Sequence, residues 1–190
     1  MAMTDQENFV ASITKARTYG LDEFLEIIGE IAQQSSRKGA LERKEKEFVT
    51  LGMALAKNCR RCIGIHSKSA AELGASPQEI TQVQKIALFL NASPNDSSPL
   101  WKSWQDSWRD FVKIHGPIDH FSRELIALGI SLIRQSREHI FLHTQAALEH
   151  GASKNQVFEV MPLALLMDGA PAISQIPYLI EALEKGPQDS

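Results

Sequence analysis

Apolar residues recur every three or four positions along most of the chain, which is the spacing of one face of an α-helix. Residues 21–31 illustrate the pattern with Leu21, Phe24, Leu25, Ile28 and Ile31. No segment shows the strict alternation of apolar and polar residues that is typical of a half-buried strand. The hydrophobic pattern therefore predicts an all-α protein.

The same pattern occurs twice along the chain, at an offset of 77 residues and without gaps. The stretch EFVTLGMALAKNCRRCIGIHSKSAAELGAS, which starts at Glu47, matches ELIALGISLIRQSREHIFLHTQAALEHGAS, which starts at Glu124. Over the 48 positions that begin at these two glutamates, 16 residues are identical. We therefore predict two tandem copies of one unit, over residues 21–94 and 98–171.

Each copy is predicted to be a four-helix unit. Its first helix is amphipathic, and its fourth opens with a capping box, which is Ser76-Pro77-Gln78-Glu79 in the first copy. The predicted second and third helices cover residues 41–57 and 59–74 in the first copy, and residues 119–134 and 136–151 in the second.

The remaining segments complete one compact domain in this prediction. The polar stretch NASPNDSSP contains a linker at residues 95–97, between the two copies. An N-terminal segment of residues 1–20 precedes the first copy. A C-terminal helix and tail, residues 172–190, follow the second copy.

Three tryptophans lie on the first helix of the second copy, namely Trp101, Trp104 and Trp108. The first copy has plain apolar residues at all three equivalent positions. We therefore expect the tryptophans to pack in the core rather than to bind a ligand.

Composition narrows the classes of partner. The 190 residues carry a formal net charge of −3, and the basic residues are scattered, so we expect no nucleic acid as a partner. The chain starts without a secretory signal, and no apolar run approaches the roughly 20 residues that span a bilayer. We therefore expect a cytoplasmic protein that does not bind membranes. In a reducing compartment, a Cys-x-x-Cys motif is more often catalytic or metal-binding than a structural disulfide.

The stretch NCRRCIGIH holds both cysteines, Cys59 and Cys62, and ends at His66. On a helix, these three side chains fall within an arc of roughly 60°. His66 lies one turn after Cys62 and can accept its proton. The positive end of the helix dipole, together with Arg60 and Arg61, favours a thiolate. The spacing thus suits redox chemistry of two thiols.

Glu47 joins this group only if the chain turns back on itself. In one continuous helix, it would lie about 18 Å before Cys59. A turn at the polar Lys57 and Asn58 would instead form an antiparallel hairpin and place Glu47 level with His66. The carboxylate would then hold the imidazole tautomer and complete a proton relay to the thiol.

Other interpretations of these residues stay open at this point. Cys59, Cys62 and His66 could supply three ligands to zinc, with His139 or His143 as the fourth. A thioredoxin-type site would need a βαβ pattern, which the chain lacks. In a purely structural interpretation, the cysteines are two small buried residues and the histidine is a core residue with a satisfied hydrogen bond.

The spacing of Glu47, Cys59, Cys62 and His66 resembles the active-site signature of the alkylhydroperoxidase D branch of the carboxymuconolactone decarboxylase family. The resemblance extends over the core of both copies. It implies an all-α bundle of the alkylhydroperoxidase D type that assembles into homotrimers or hexamers. It further implies a thiol-dependent peroxidase or disulfide reductase with no metal and no resident cofactor.

The resemblance also assigns roles to the matched residues. Cys62 would be the thiolate that attacks the hydroperoxide substrate, Cys59 the resolving thiol, and Glu47 with His66 the proton relay. An external thiol or a lipoyl-type reductant protein would restore the dithiol. Arg61 occupies a position where the family often has His or Tyr, so a fifth relay member is in question.

The second copy lacks the thiols, because Ser136 and His139 stand at the two cysteine positions, whereas Glu124 and His143 are retained. One interpretation is a buried hydrogen-bonded pair that secures the helix hairpin. Another is a second, non-thiol acid–base site of Glu124, His139 and His143, as in a carboxymuconolactone decarboxylase-like lyase. For the protein as a whole, a further alternative is a redox-sensing or scaffold member of the family without catalysis.

Overall fold

The structure is a computed structural model that describes residues 4–185, with positions 5 and 6 described by their backbone alone. Every regular element in this range is helical, which confirms the all-α prediction. None of these helices combines the length and apolar character needed to cross a bilayer. The ends of the predicted terminal segments, residues 1–3 and 186–190, lie outside the described residues.

The helices follow one another along the chain with short connections. They are α1 Asp5–Ala16, α2 Asp22–Ser35, α3 Arg43–Ala56, α4 Arg60–Glu72, α5 Pro77–Asn91, α6 Trp101–Lys113, α7 His120–Ile133, α8 Arg137–Glu149, α9 Lys154–Phe158, α10 Val160–Asp168, α11 Ala170–Ile173 and α12 Ile176–Lys185.

The chain divides into two compact units, one that ends at Arg37 and one that begins at Lys38. This boundary falls inside the first predicted copy, after α2.

The first unit consists of α1 and α2, joined by a π-helical segment, Arg17–Leu21. Thr4 caps α1 and forms a capping box with Glu7. Gly20 has φ +90°, a conformation that favours glycine, and marks the kink between the two helices. The sequence analysis predicted α2 from its apolar spacing but no helix before it.

In the second unit, α3 and α7 pack against each other at the centre of the core. The helices α4 and α5 pack on α3, whereas α8 packs on α7. The helix α10 contacts both α3 and α7, and α12 covers α8.

Two equivalent glycines allow α3 and α7 to approach closely. A Cβ atom on Gly52 would lie 2.7 Å from Cγ2 of Ile126, and one on Gly129 would lie 2.8 Å from Cγ1 of Val49. Val49 and Ile126 are themselves equivalent in the repeat. The two copies therefore make the same contact from both sides of the crossing, as in a pseudo-twofold dimer.

Each copy also binds the loop that precedes the second helix of the other copy. The backbone N–H of Leu41 donates to Glu159 Oε2 at 2.6 Å, and that of Ile118 donates to Gln82 Oε1 at 2.9 Å. These four residues form two equivalent pairs at the repeat offset. The pseudo-twofold relation thus extends from the helix crossing to the loops.

The fourth helix differs between the copies. It is continuous in α5, whereas the second copy divides it into α9 and α10. Pro162 causes this break because it has no N–H to donate to the carbonyl group of Phe158, and Lys85 is its equivalent in the first copy. The predicted capping boxes at Ser76 and Ser153 are both present.

Candidate active site

The two cysteines lie where α3 turns into α4. Asn58 adopts φ +53° at this turn, as does its equivalent Gln135 with φ +57°. Cys59 is the N-cap of α4, and its Sγ accepts a hydrogen bond from the backbone N–H of Cys62 at 3.3 Å. A disulfide joins Cys59 and Cys62, whose Cα atoms are 5.3 Å apart. The pair therefore closes within the first turn of an intact helix.

Glu47 and His66 lie opposite each other across the hairpin of α3 and α4. His66 Nδ1 and Glu47 Oε2 are 2.8 Å apart, and the two side chains are 19 and 17% exposed. The predicted hairpin and the predicted proximity of these residues are thus present. Because Nδ1 is engaged by the carboxylate, the neutral ring carries its proton there, and Nε2 is left as the basic nitrogen.

The second copy repeats this pair of side chains. His143 Nδ1 lies 2.7 Å from Glu124 Oε2, so both copies use the same ring nitrogen for the carboxylate. His143 Nε2 then lies 3.4 Å from Nδ1 of His139, one turn earlier on α8. Cys62 is the first-copy equivalent of His139. The ring nitrogen of His143 that corresponds to His66 Nε2 therefore faces the residue at the Cys62 position.

The pair in the second copy is buried beneath the tryptophans. The side chains of Glu124 and His143 are 1 and 0% exposed. Trp108 Nε1 donates a hydrogen bond to Glu124 Oε1 at 3.1 Å, and the Trp104 ring packs against His139 with centroids 4.5 Å apart. Trp104 and Trp108 are thus core residues and Trp101 is partly buried, but the sequence analysis missed the hydrogen bond from Trp108 to the glutamate. The sequence did contain a signal for this contact. A buried tryptophan needs an acceptor for its indole N–H, and the following helix carries a glutamate that occurs in both copies.

Burial also changes the protonation of this second group. It raises the pKa of Glu124 to about 7, against a lowering influence of the Trp108 hydrogen bond. It lowers the pKa of His143 and of His139 to about 3 in each case. Both imidazoles are therefore neutral at neutral pH. A buried hydrogen-bonded network with two neutral imidazoles favours the framework interpretation of the pair.

The zinc interpretation finds no ligand set in residues 4–185, where the structure groups no three His, Cys, Asp or Glu side chains in a way that could hold a metal ion. Cys59 and Cys62 are joined by a disulfide, and His66 forms a hydrogen bond with Glu47. The proposed fourth ligands, His139 and His143, contact each other instead.

Comparison with known proteins gives one result that covers most of the chain. The family model described as the carboxymuconolactone decarboxylase family matches residues 22–98 and again residues 99–176. These two matches correspond to the two predicted copies. A search of curated proteins gave no match. The double match shows that the chain belongs to the carboxymuconolactone decarboxylase family.

Proposed function

We propose that this protein is a thiol-dependent peroxidase of the alkylhydroperoxidase D type, with Cys59 and Cys62 as its redox centre. The observation that carries the proposal is the hydrogen bond between His66 and Glu47, one helical turn from Cys62 and partly open to solvent. The equivalent pair in the second copy has no thiol beside it and is buried.

The relay activates Cys62 in the reduced protein. His66 Nε2 accepts the proton of the Cys62 thiol, while Glu47 keeps Nδ1–H in place and stabilises the imidazolium. The N-terminus of α4 and the exposed Arg60 stabilise the thiolate. This environment raises the thiolate fraction at neutral pH, and the thiolate is the nucleophile.

The peroxide is then reduced in two steps. The Cys62 thiolate attacks the terminal oxygen of ROOH, the O–O bond breaks, and Cys62 becomes a sulfenic acid. The leaving alkoxide takes the proton from His66 and departs as ROH. The Cys59 thiol attacks the Cys62 sulfur, which forms the disulfide and releases water.

An external dithiol completes the cycle. A thiol or lipoyl-type reductant protein transfers two electrons to the Cys59–Cys62 disulfide, so the reductant is oxidised and both thiols are restored. The disulfide is partly exposed at the start of α4, which supports access of such a reductant. The same chemistry would serve a disulfide reductase.

A lyase that used Glu124, His139 and His143 finds less support in the geometry. The side chains of His139 and His143 are almost fully buried, at 1 and 0% exposure. A substrate that approached from this side would have to displace Trp104, which packs against His139.

The proposal also includes assembly into a homotrimer or hexamer. Ile173, Tyr178 and Ile180 remain 55, 39 and 40% exposed near the end of the described chain. Exposed apolar side chains that cluster in sequence support a self-association surface.

Peroxide consumption tests the proposal, with dihydrolipoamide as reductant and with four proteins compared. We expect turnover in the wild type, loss of turnover in Cys62→Ser, and loss of catalytic cycling in Cys59→Ser. The matched control is Ser136→Ala, which changes the second-copy equivalent of Cys59 and should leave turnover unchanged. Equal rates in all four proteins would overturn the proposal.

A further inference from the structure

A cleft of about 690 Å³ lies in the second copy, and neither cysteine lines it. Residues of α6, α7 and α8 line it, including His120 and Glu124, one turn apart on α7. Its apolar lining consists of Trp108, Val112, Phe141, Leu142 and Ala146. The volume is typical of a site for a small molecule, and the lining combines this apolar surface with polar and charged side chains.

Two polar atoms of the lining residues need a partner. His120 Nε2 and Gln145 Oε1 are buried and have no hydrogen-bond partner in the part of the chain that the structure describes. Gln145 as a whole is only 7% exposed. Buried polar atoms without a partner are costly, so their presence in a cleft indicates a polar group on a ligand.

His120 is held in a fixed position next to Glu124. Its Nε2 is 4.0 Å from Glu124 Oε1, which is too long for a hydrogen bond. A single hydroxyl oxygen can nevertheless lie within hydrogen-bond distance of both atoms. The His120 ring stacks on His150 with centroids 3.5 Å apart and an angle of 15° between the planes. The stacking keeps the imidazole directed in one orientation.

The lining residues carry no excess of positive charge. Arg109 and Lys113 face three carboxyl groups, those of Glu124, Glu138 and Glu149. Burial lowers the pKa of His120, with a smaller contribution from the neighbouring histidine, so this imidazole is neutral at neutral pH. The cleft therefore offers no excess of positive charge for a carboxylate or phosphate, and an uncharged ligand fits it better.

The internal repeat shows that this polar set is not part of the common framework. Of the four polar residues considered, only the glutamate is retained in the first copy. The equivalents of His120, Glu124, Gln145 and His150 are Arg43, Glu47, Lys68 and Leu73. The helix hairpin therefore forms without His120, Gln145 and His150, and packing of the hairpin does not explain their presence.

We propose that this cleft binds a small uncharged ring compound that bears a hydroxyl group, with a phenol as the simplest case. The ring lies against Trp108 and Phe141. The hydroxyl group accepts a hydrogen bond from His120 Nε2–H and donates one to Glu124 Oε1. This site is independent of the thiols and of the proposed peroxidase activity.

Ligands matched in shape test the proposal on the wild-type protein. The probes are 4-methylphenol, p-xylene, which replaces the hydroxyl by a methyl group, and 4-methylbenzoate, which is charged. Calorimetry measures affinity, and tryptophan fluorescence reports on Trp108 in the cleft. We expect 4-methylphenol to bind about three- to tenfold more tightly than p-xylene, from the hydrogen bonds of one hydroxyl, and 4-methylbenzoate to bind most weakly.

A substitution tests whether His120 causes the preference for 4-methylphenol over p-xylene. His120→Phe keeps a ring against His150 but removes the nitrogen, so we expect 4-methylphenol to fall to the affinity of p-xylene. The control His115→Phe, at an exposed histidine that does not line this cleft, should keep the preference. Cys62→Ser should also keep it, which separates this site from the proposed peroxidase centre.

Several results would overturn the proposal. These are equal affinity of the wild type for 4-methylphenol and p-xylene, tighter binding of 4-methylbenzoate, no saturable binding, or an unchanged preference in a folded His120→Phe variant. If His120→Phe does not melt cooperatively, the three ligands on the wild type decide the question alone.

Discussion

At the scale of single residues, one glutamate–histidine pair occurs twice in two different surroundings. In the first copy, Glu47 and His66 are partly exposed and lie one turn from a cysteine. In the second copy, Glu124 and His143 are buried, and Trp108 donates a hydrogen bond to the carboxylate. The surroundings, rather than the pair itself, therefore distinguish the two copies, and the proposed proton relay depends on the exposure and the cysteine found in the first copy.

The imidazole of His66 should control the reactivity of Cys62. We expect His66→Gln to lower the rate of peroxide consumption at pH 7 by about 10²-fold or more, because general acid–base catalysis typically contributes 10²–10⁴-fold. Reaction of the reduced protein with iodoacetamide should slow as well, since less thiolate is present. The control His115→Gln should match the wild type in both measurements. An undiminished rate in His66→Gln would remove the histidine from the mechanism.

The buried Glu124 should make stability depend on pH. Its pKa of about 7 in the folded protein exceeds the ordinary 4.5, so between these values the folded state holds a proton that the unfolded state has lost. The stabilisation is therefore complete below pH 4.5 and is lost as the pH rises through 7.

Glu124→Gln cannot titrate and should lack this loss. Urea unfolding at pH 5 and pH 8 should show the variant gaining stability relative to the wild type as the pH rises. The gain is at most about 1.4 kcal/mol for each unit of pKa shift. His139 and His143 oppose this trend, because their lowered pKa values destabilise the fold as the pH drops below 6.5, but both proteins retain them. A difference in stability that is the same at both pH values would contradict the raised pKa.

At the scale of helices, local signals were predictable and contacts between copies were not. The helix start at Cys59 and the caps at Ser76 and Ser153 follow from residues within one turn, so the sequence predicts them. The crossing at Gly52 and Gly129 depends on which helices meet in space, which the apolar period does not specify.

The same distinction applies to the candidate site. The hairpin placed Glu47 beside His66 because loop position and helix length determine the register. The hydrogen bond from Trp108 to Glu124 connects α6 with α7, and the stacking of His120 on His150 depends on the packing of whole helices. The sequence analysis assigned the tryptophan to the core but could not identify these partners.

The two glycines at the crossing should be intolerant of a methyl group. We expect Gly52→Ala and Gly129→Ala each to lower the free energy of unfolding by about 1–3 kcal/mol, because the added Cβ would overlap Ile126 or Val49. Gly64→Ala is the matched control, since this glycine lies within α4 with no atom near its Cβ position. Urea unfolding should show the control to be as stable as the wild type or more stable. Equal effects at all three positions would contradict the close approach of α3 and α7.

At the scale of the whole molecule, the repeat separates two kinds of chemistry. The first copy carries the two cysteines and the partly exposed pair of Glu47 and His66, whereas the second carries the buried pair of Glu124 and His143 and the cleft at His120. Both copies contribute equally to the helix crossing and to the loop contacts of Leu41 and Ile118. Shared framework residues thus stabilise the core, while the two cysteines of the first copy and His120 of the second distinguish the two proposed functions.

The exposed apolar residues near the end of the chain should mediate self-association. We expect the wild type to sediment as a trimer or hexamer and Ile180→Glu to sediment as a smaller species, because a buried unpaired carboxylate opposes assembly. The control Ser103→Glu adds the same charge at an exposed position of α6. A monomeric wild type would contradict the proposed assembly, and an unchanged oligomer in Ile180→Glu would place the interface elsewhere.

The central claim is that Cys59 and Cys62 reduce a hydroperoxide as one dithiol. The most direct test adds one equivalent of cumene hydroperoxide to the fully reduced protein and measures the peroxide consumed, the free thiols and the intact mass. We predict that one peroxide is consumed for every two thiols lost, with the mass of an internal disulfide, and that Cys62→Ser consumes none. Unchanged thiols in the wild type, or equal peroxide consumption in Cys62→Ser, would contradict the claim.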